Sequence, residues 1–168
     1  MYRHKLYLDT CIIIAYYHED DKRHKKILKF FKEISKIKNL DLVISDFVLT
    51  EFAKCYADIP KIKKEEVWKI TSNLTHLKII GRDYHIKFIN VEGKEGKEYK
   101  FDTFFVDVRE ILMNYLKTPR IHLADAIHCA IMNNNKIKYI ITTNKKHFEG
   151  VEGITPFEPE EAVNFFKK

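Results

Sequence analysis

Lys5-Leu6-Tyr7-Leu8-Asp9-Thr10 is an apolar run that ends on a carboxylate, and Cys11-Ile12-Ile13-Ile14-Ala15-Tyr16-Tyr17 follows at once. Apolar residues at consecutive positions would face both sides of a strand, which marks a strand buried on both faces in a parallel sheet. Ligands in open α/β sheets bind outside the carboxyl ends of such strands, and Asp9 falls there. One acid in that place carries little. Two more acids interrupt apolar surroundings in the same way further along.

Asp20 or Asp21 is placed to cap a helix expected to run to about residue 38, with Ile27, Leu28, Phe30, Phe31, Ile34 and Ile37 at helical spacing. Its other face carries Lys22, Arg23, Lys25, Lys26, Lys29, Lys32 and Lys36. That face reads equally well as a solvated helix surface or as an edge facing nucleic acid. Residues 41–45 form the expected second strand, after which Ser45 or Asp46 caps a helix from 47 to about 57. Glu51 stands at the margin of that helix's apolar arc, where a surface glutamate with a buried stem is also common. A helix over 63–73 and a third strand over 76–80 complete a β-α-β-α-β order, which implies a parallel sheet with helices on both faces.

Residues 84–101 read as a hairpin or flap, because two apolar runs flank the charged, glycine-containing stretch 92–98. A helix is expected over 103–116, ending at Thr118-Pro119. Residues 121–132 are apolar almost all the way round, as in a buried helix, and Asp125 is their only carboxylate. A bare charge there would be costly, so Asp125 must cap the helix, pair or bind a cation. Residues 138–142 form the fourth strand and run into Thr143-Asn144-Lys145-Lys146-His147-Phe148 at the same sheet end as Asp9. A short strand at Ile154 and a helix over 160–166 close the chain.

The 168 residues suit a single domain, 1–168, and 45% hydrophobic with 32% charged residues is a globular balance. The longest apolar run, 11–17, is too short to span a bilayer, and the first residues lack a signal-peptide pattern, so a cytoplasmic protein without membrane contact is expected. Cys11, Cys55 and Cys129 are too scattered for a disulfide framework or a cysteine-built zinc site and read as small buried fillers. A net charge of +6, mostly from lysine, favours an acidic partner tracked through its phosphates. His122, His128 and Cys129 match no zinc spacing and read as core residues. There is no Gly-x-Ser-x-Gly elbow and no phosphate-cradling glycine loop.

Asp9, Glu51 and Asp125 therefore come from separate α/β units, and a parallel sheet can bring them to one rim. Clustered carboxylates in a partly dry site repel, and a hard divalent cation relieves that repulsion. Beside a basic surface, such a site suits phosphodiester hydrolysis.

Four segments resemble, in order, the motifs of the PIN-domain family. Leu6-Tyr7-Leu8-Asp9-Thr10 is similar to the first, and the run from Ser45 to Glu51 to the second. The run from Leu123 to Ala130 is similar to the third, and that from Ile141 to Phe148 to the fourth. The resemblance implies a three-layer α/β/α sandwich around a central parallel sheet of four to five strands. It also implies a Mg²⁺- or Mn²⁺-dependent endoribonuclease acting on RNA. Small members include VapC-type toxins, paired with an antitoxin protein and often homodimeric. By the same resemblance Asp9, Glu51 and Asp125 are the catalytic metal ligands. Thr142 occupies the family's hydroxyl position, and Thr10, Ser45 and Asn144 support water or phosphate. Lys22, Arg23, Lys26, Lys145 and Lys146 are the expected substrate contacts.

The fourth motif often carries Asp where this chain has Asn144, which brings no charge and cannot act as a base. A three-acid site competent for one metal is the expectation, with Glu149 a weaker substitute for the missing acid. The competing reading is a PIN-like module that binds RNA or protein without cutting. Asn144 favours it, and the three acids oppose it.

Overall fold

A computed structural model describes residues 3–75, 87–89, 113 and 122–167. Strand β1 (His4–Leu8) has Leu6, Tyr7 and Leu8 wholly buried, as the uninterrupted apolar run requires. The strand stops because Asp9, in extended conformation, turns its carboxylate back to accept the Cys11 N–H and caps α1 (Thr10–Tyr17). Helix α2 spans His24–Ile34. It starts later than Asp20 or Asp21 would set it, because Asp21 is held in the preceding turn. Its carboxylate accepts from the Arg23 N–H at 2.8 Å and from the Arg23 guanidinium at 2.8 and 2.6 Å. The helix also stops short of residue 38, with the Ser35 hydroxyl donating to the Lys32 carbonyl.

Strand β2 (Leu40–Ser45) is buried along its whole length, and the Asp41 charge is met by Arg3 at 2.8 Å. Ser45 caps α3 (Asp46–Ala57) by accepting the Val48 N–H at 3.3 Å. Helix α4 (Lys64–Thr75) packs on α3, and β3 spans Lys87–Ile89. The third strand of the sheet is thus part of the stretch read as a hairpin or flap. The strand expected at 76–80, the remainder of 84–101 and the helix expected at 103–116 lie outside the described residues. Helix α5 (Leu123–Asn134) precedes β4 (Tyr139–Ile141), a 3-10 turn at Lys145–His147, β5 (Thr155–Phe157) and α6 (Pro159–Phe166). Gly150 and Gly153 take positive φ in the connection from β4 to β5, a conformation that costs other residues more. The last strand begins one residue after Ile154 and contains Pro156, tolerated there because β5 lies at the sheet edge.

Among the described residues all four strand pairings are parallel, and the sheet order is β3-β2-β1-β4-β5. The chain moves outward from β1 to β3 and then returns to the other side of β1. By the right-handed rule for parallel crossovers this order puts α1 to α4 on one face and α5 on the other, as in an α/β/α sandwich. Alternation along β1 agrees, since Tyr7 points away from Leu6 and Leu8 and its ring meets His128 on α5, centroids 5.6 Å apart. The strand order reverses between β1 and β4, and the crevice outside the carboxyl ends of those two strands is the expected ligand site of such a sheet. Cys55 is exposed, against its reading as a buried filler, because it falls on the outer side of α3.

Candidate active site

Asp9 follows β1 and Thr142 follows β4, so the two meet at the reversal of strand order. The Asp9 N–H donates to the Ile141 carbonyl at 3.0 Å, which fixes the backbone at the crevice. Asp9 is 7% exposed. Its Oδ2 accepts from the Thr142 hydroxyl at 2.5 Å and from the Cys11 thiol at 3.1 Å. Thr142 is wholly buried and accepts the Asn144 N–H at 2.9 Å. The fourth motif thus acts first by holding Asp9 in one rotamer. Cys11 Sγ also receives the Thr143 N–H and hydroxyl at 3.4 and 3.3 Å. Burial pushes the thiol pKa far up, with the Asp9 charge adding to it, so Cys11 serves as a neutral donor.

Glu51 comes from the middle of α3 and is half-buried. Its Oε2 accepts from the Thr10 hydroxyl and lies 3.1 Å from His128 Nε2. Burial raises its pKa, but the hydrogen bonds from His128 and Thr10 and the attraction of His128 outweigh that and leave it below the usual glutamate value. Among the described residues, one ligand atom each from Asp9, Glu51 and His128 lie within 4.8 Å of one another. No lysine or arginine among the described residues forms an ion pair with Asp9 or Glu51. Two carboxylates this close, each steadied by hydroxyls rather than cations, suit a hard divalent ion that completes its shell with water.

Asp125 is the third residue of α5, not its cap. Its Oδ2 accepts the His122 N–H at 2.9 Å and pairs with His147 Nδ1 at 3.1 Å. It lies outside the three-residue cluster, three positions before His128 and therefore on the same side of α5. The Asn144 side chain is exposed, and its backbone carbonyl accepts the His147 N–H at 2.9 Å. Ser45 is wholly buried and caps α3, two hydrogen bonds away from His128 through Tyr7.

The basic residues read as substrate contacts divide. Lys26 pairs with Glu158 at 3.1 Å and Lys145 with Glu161 at 2.9 Å, both acids belonging to α6 or its cap. Arg23 is clamped by Asp21, whose pKa is held down to about 2 by that guanidinium, and also donates to the Thr143 hydroxyl at 2.9 Å. Lys22 and Lys146 are exposed. Glu149 is exposed as well.

Sequence reading treated His128 as a satisfied core histidine. It is 1% exposed with both ring nitrogens bonded, yet one of those bonds reaches Glu51. The available signal was its i, i+3 spacing from Asp125 on an otherwise apolar helix. Tyr7, which carries the other bond, gave no signal beyond being a strand residue.

The fold and site define an α/β/α sandwich with a carboxylate centre where the order of its parallel strands reverses. The chain belongs to the PIN-domain family, whose model matches residues 6–153. No curated protein matches it by sequence. Among solved structures, VapBC-1 from nontypeable Haemophilus influenzae is similar at TM-score 0.62 and 17% identity, over 93% of this chain and 98% of its own. VapBC2 from Rickettsia felis, bound to a promoter DNA fragment, is similar at 0.60 and 15%, over 92% and 98%. VapC20 from Mycobacterium tuberculosis, a toxin that cleaves the sarcin-ricin loop, is similar at 0.58 and 14%, over 80% and 86%. Identities this low speak for the shared fold. No helix among the described residues is long and apolar enough to cross a membrane.

Proposed function

We propose that the protein is a Mg²⁺- or Mn²⁺-dependent endoribonuclease that hydrolyses RNA phosphodiester bonds. The observation that carries this reading is the approach of Asp9 and Glu51, from separate segments, to within one ion's reach at the crevice between β1 and β4. Asp9 and Glu51 would hold the ion, whose chemistry there is to make water nucleophilic at neutral pH and to offset the phosphate's charge. Asp125, one turn before His128 on α5, would be the third carboxylate of the site. Thr142 and Thr10 orient the two principal carboxylates through their hydroxyls. Arg23, Lys22 and Lys146 contact the RNA backbone. Lys26 and Lys145 join them when RNA displaces Glu158 and Glu161, since exposed ion pairs are worth at most about 1 kcal/mol.

The fold shared with VapBC proteins extends the reading to a toxin that is held inactive by an antitoxin and able to dimerise. Asn144 supports the rival reading of a PIN-like module that binds RNA or protein without cutting.

The test is single-stranded and structured RNA incubated with Mn²⁺, comparing wild type with Asp9→Asn. Cleavage by the wild type alone is expected. Equal cleavage by both would mark a contaminating nuclease and end the enzymatic reading, whereas RNA retention without cleavage would favour the binding module.

A further inference from the structure

His128 belongs to a line of buried hydrogen bonds that runs from the start of α3 to the candidate site. Ser45 Oγ accepts the Val48 N–H and lies 2.7 Å from Tyr7 Oη. Tyr7 Oη lies 2.9 Å from His128 Nδ1, and His128 Nε2 lies 3.1 Å from Glu51 Oε2. Tyr7, Ser45 and His128 are all at least nine-tenths buried.

The proton positions follow by elimination. An ionised Glu51 can only accept, so Nε2 must carry a proton. In the neutral ring Nδ1 then accepts from the Tyr7 hydroxyl, and the Tyr7 oxygen accepts from the Ser45 hydroxyl. Ser45 has already used a lone pair on the Val48 N–H. Every donor is spent once, and no buried side-chain nitrogen or oxygen among the described residues lacks a partner. A doubly protonated ring would reverse the Tyr7 and Ser45 hydroxyls but would still donate from Nε2 to Glu51. In both of these states Nε2 is spent on Glu51, and only the Nδ1-protonated tautomer, which gives up the bond to Glu51, would free its lone pair for a cation.

We infer that His128 is a positioning residue and not a ligand, although its nitrogen lies among the clustered ligand atoms. Tyr7 and Ser45 lock the imidazole with its Nε2 proton aimed at Glu51 Oε2. The Thr10 hydroxyl grips the same oxygen from α1. Glu51 is a long side chain with three free torsions, and two donors on one oxygen hold it in one pose while leaving Oε1 for the ion. Supporting hydrogen bonds of this kind set ligand orientation at metal centres. The functional meaning rests on the nuclease reading, whereas the proton assignment does not.

Two measurements test it. Long-range ¹H–¹⁵N spectra of the imidazole in the metal-free protein should show the Nε2 proton, and a Mg²⁺ titration should leave it there. Loss of that proton on adding Mg²⁺ would make His128 a ligand and overturn the inference. In parallel, His128→Gln can still donate to Glu51 and accept from Tyr7, whereas His128→Leu can do neither. Cleavage by His128→Leu should fall about 10–100-fold, and His128→Gln should recover most of that loss. Calorimetric Mn²⁺ affinity should stay near wild type in His128→Gln and collapse in Asp9→Asn. Equal collapse in both, in proteins that melt like wild type, would also overturn the inference. Failure of the nuclease reading would show separately, as wild-type cleavage indifferent to Asp9→Asn, and the imidazole spectra decide the His128 assignment either way.

Discussion

Removing one oxygen from the core, by Tyr7→Phe, should destabilise the metal-free protein far more than the loss of a surface hydroxyl would. Tyr7 is 0% exposed, so no water replaces its hydroxyl. Without it His128 Nδ1 loses its donor, and the Ser45 hydroxyl loses its acceptor. A buried polar group left unsatisfied costs about 1–3 kcal/mol, so two of them put the loss at about 2–4 kcal/mol once Ser45 has partly readjusted. In a chain of this length each kcal/mol moves the melting temperature by about 2–4 °C, so a fall of about 5–15 °C is expected. Urea unfolding in EDTA, followed by far-ultraviolet circular dichroism, measures it without stabilisation by bound ion. The single tryptophan, Trp68, is 76% exposed and is a poor reporter of the core. Ser45→Ala should cost about 1 kcal/mol or more through the lost cap, and the double variant should fall short of the sum of the two because they share a bond. A Tyr7→Phe protein within about 0.5 kcal/mol of wild type, with unchanged urea dependence, would refute the buried line of hydrogen bonds.

Mn²⁺ at a hundred times its dissociation constant should stabilise the wild type by about 2.7 kcal/mol in thermal melts and leave Asp9→Asn unmoved; equal stabilisation of both would place the ion elsewhere. The pKa of Glu51 lies below the ordinary value when folded, so its ionised form adds stability above the unfolded pKa near 4.3 and loses that increment as pH falls through the folded one. The stability gap between metal-free wild type and Glu51→Gln should therefore be level above about pH 5 and narrow below about pH 4, and a gap that widens in acid would contradict the hydrogen bonding of Glu51. Asp125→Asn should abolish cleavage while changing stability by less than about 1 kcal/mol, because an amide oxygen can still accept the His122 N–H. A large fall in its melting temperature would instead mean that the charge of Asp125, through His122 and His147, chiefly holds the start of α5.

Much of the architecture was legible in the chain because buried parallel strands leave a mark on composition. The runs at 5–8, 41–44 and 138–141 have apolar residues on both faces, and only a covered sheet accommodates that. The strand end at Asp9 and the cap at Ser45 were legible as well, since a polar side chain directly after such a run stops the strand, whereas the capping of α1 by Asp9 came from the structure. The start of α2 was misplaced because Asp21 can satisfy a turn as readily as a helix, and only the Arg23 guanidinium decides between them. The place of β3 in the sheet was not legible, because an apolar run of three residues fits a hairpin arm as well as an edge strand of a parallel sheet.

The sequence by itself determined the parallel sheet, its alternation with helices, and the acids that interrupt it, because burial dictates residue type locally. Only the tertiary structure decided that Asp9 and Glu51 share one crevice, that Asp125 answers to His122 and His147, and that Tyr7 and His128 support Glu51 from within. Those relations depend on which strand lies beside β1 and which face of α5 meets it. Hydrogen bonds between residues so distant along the chain leave no trace in local periodicity.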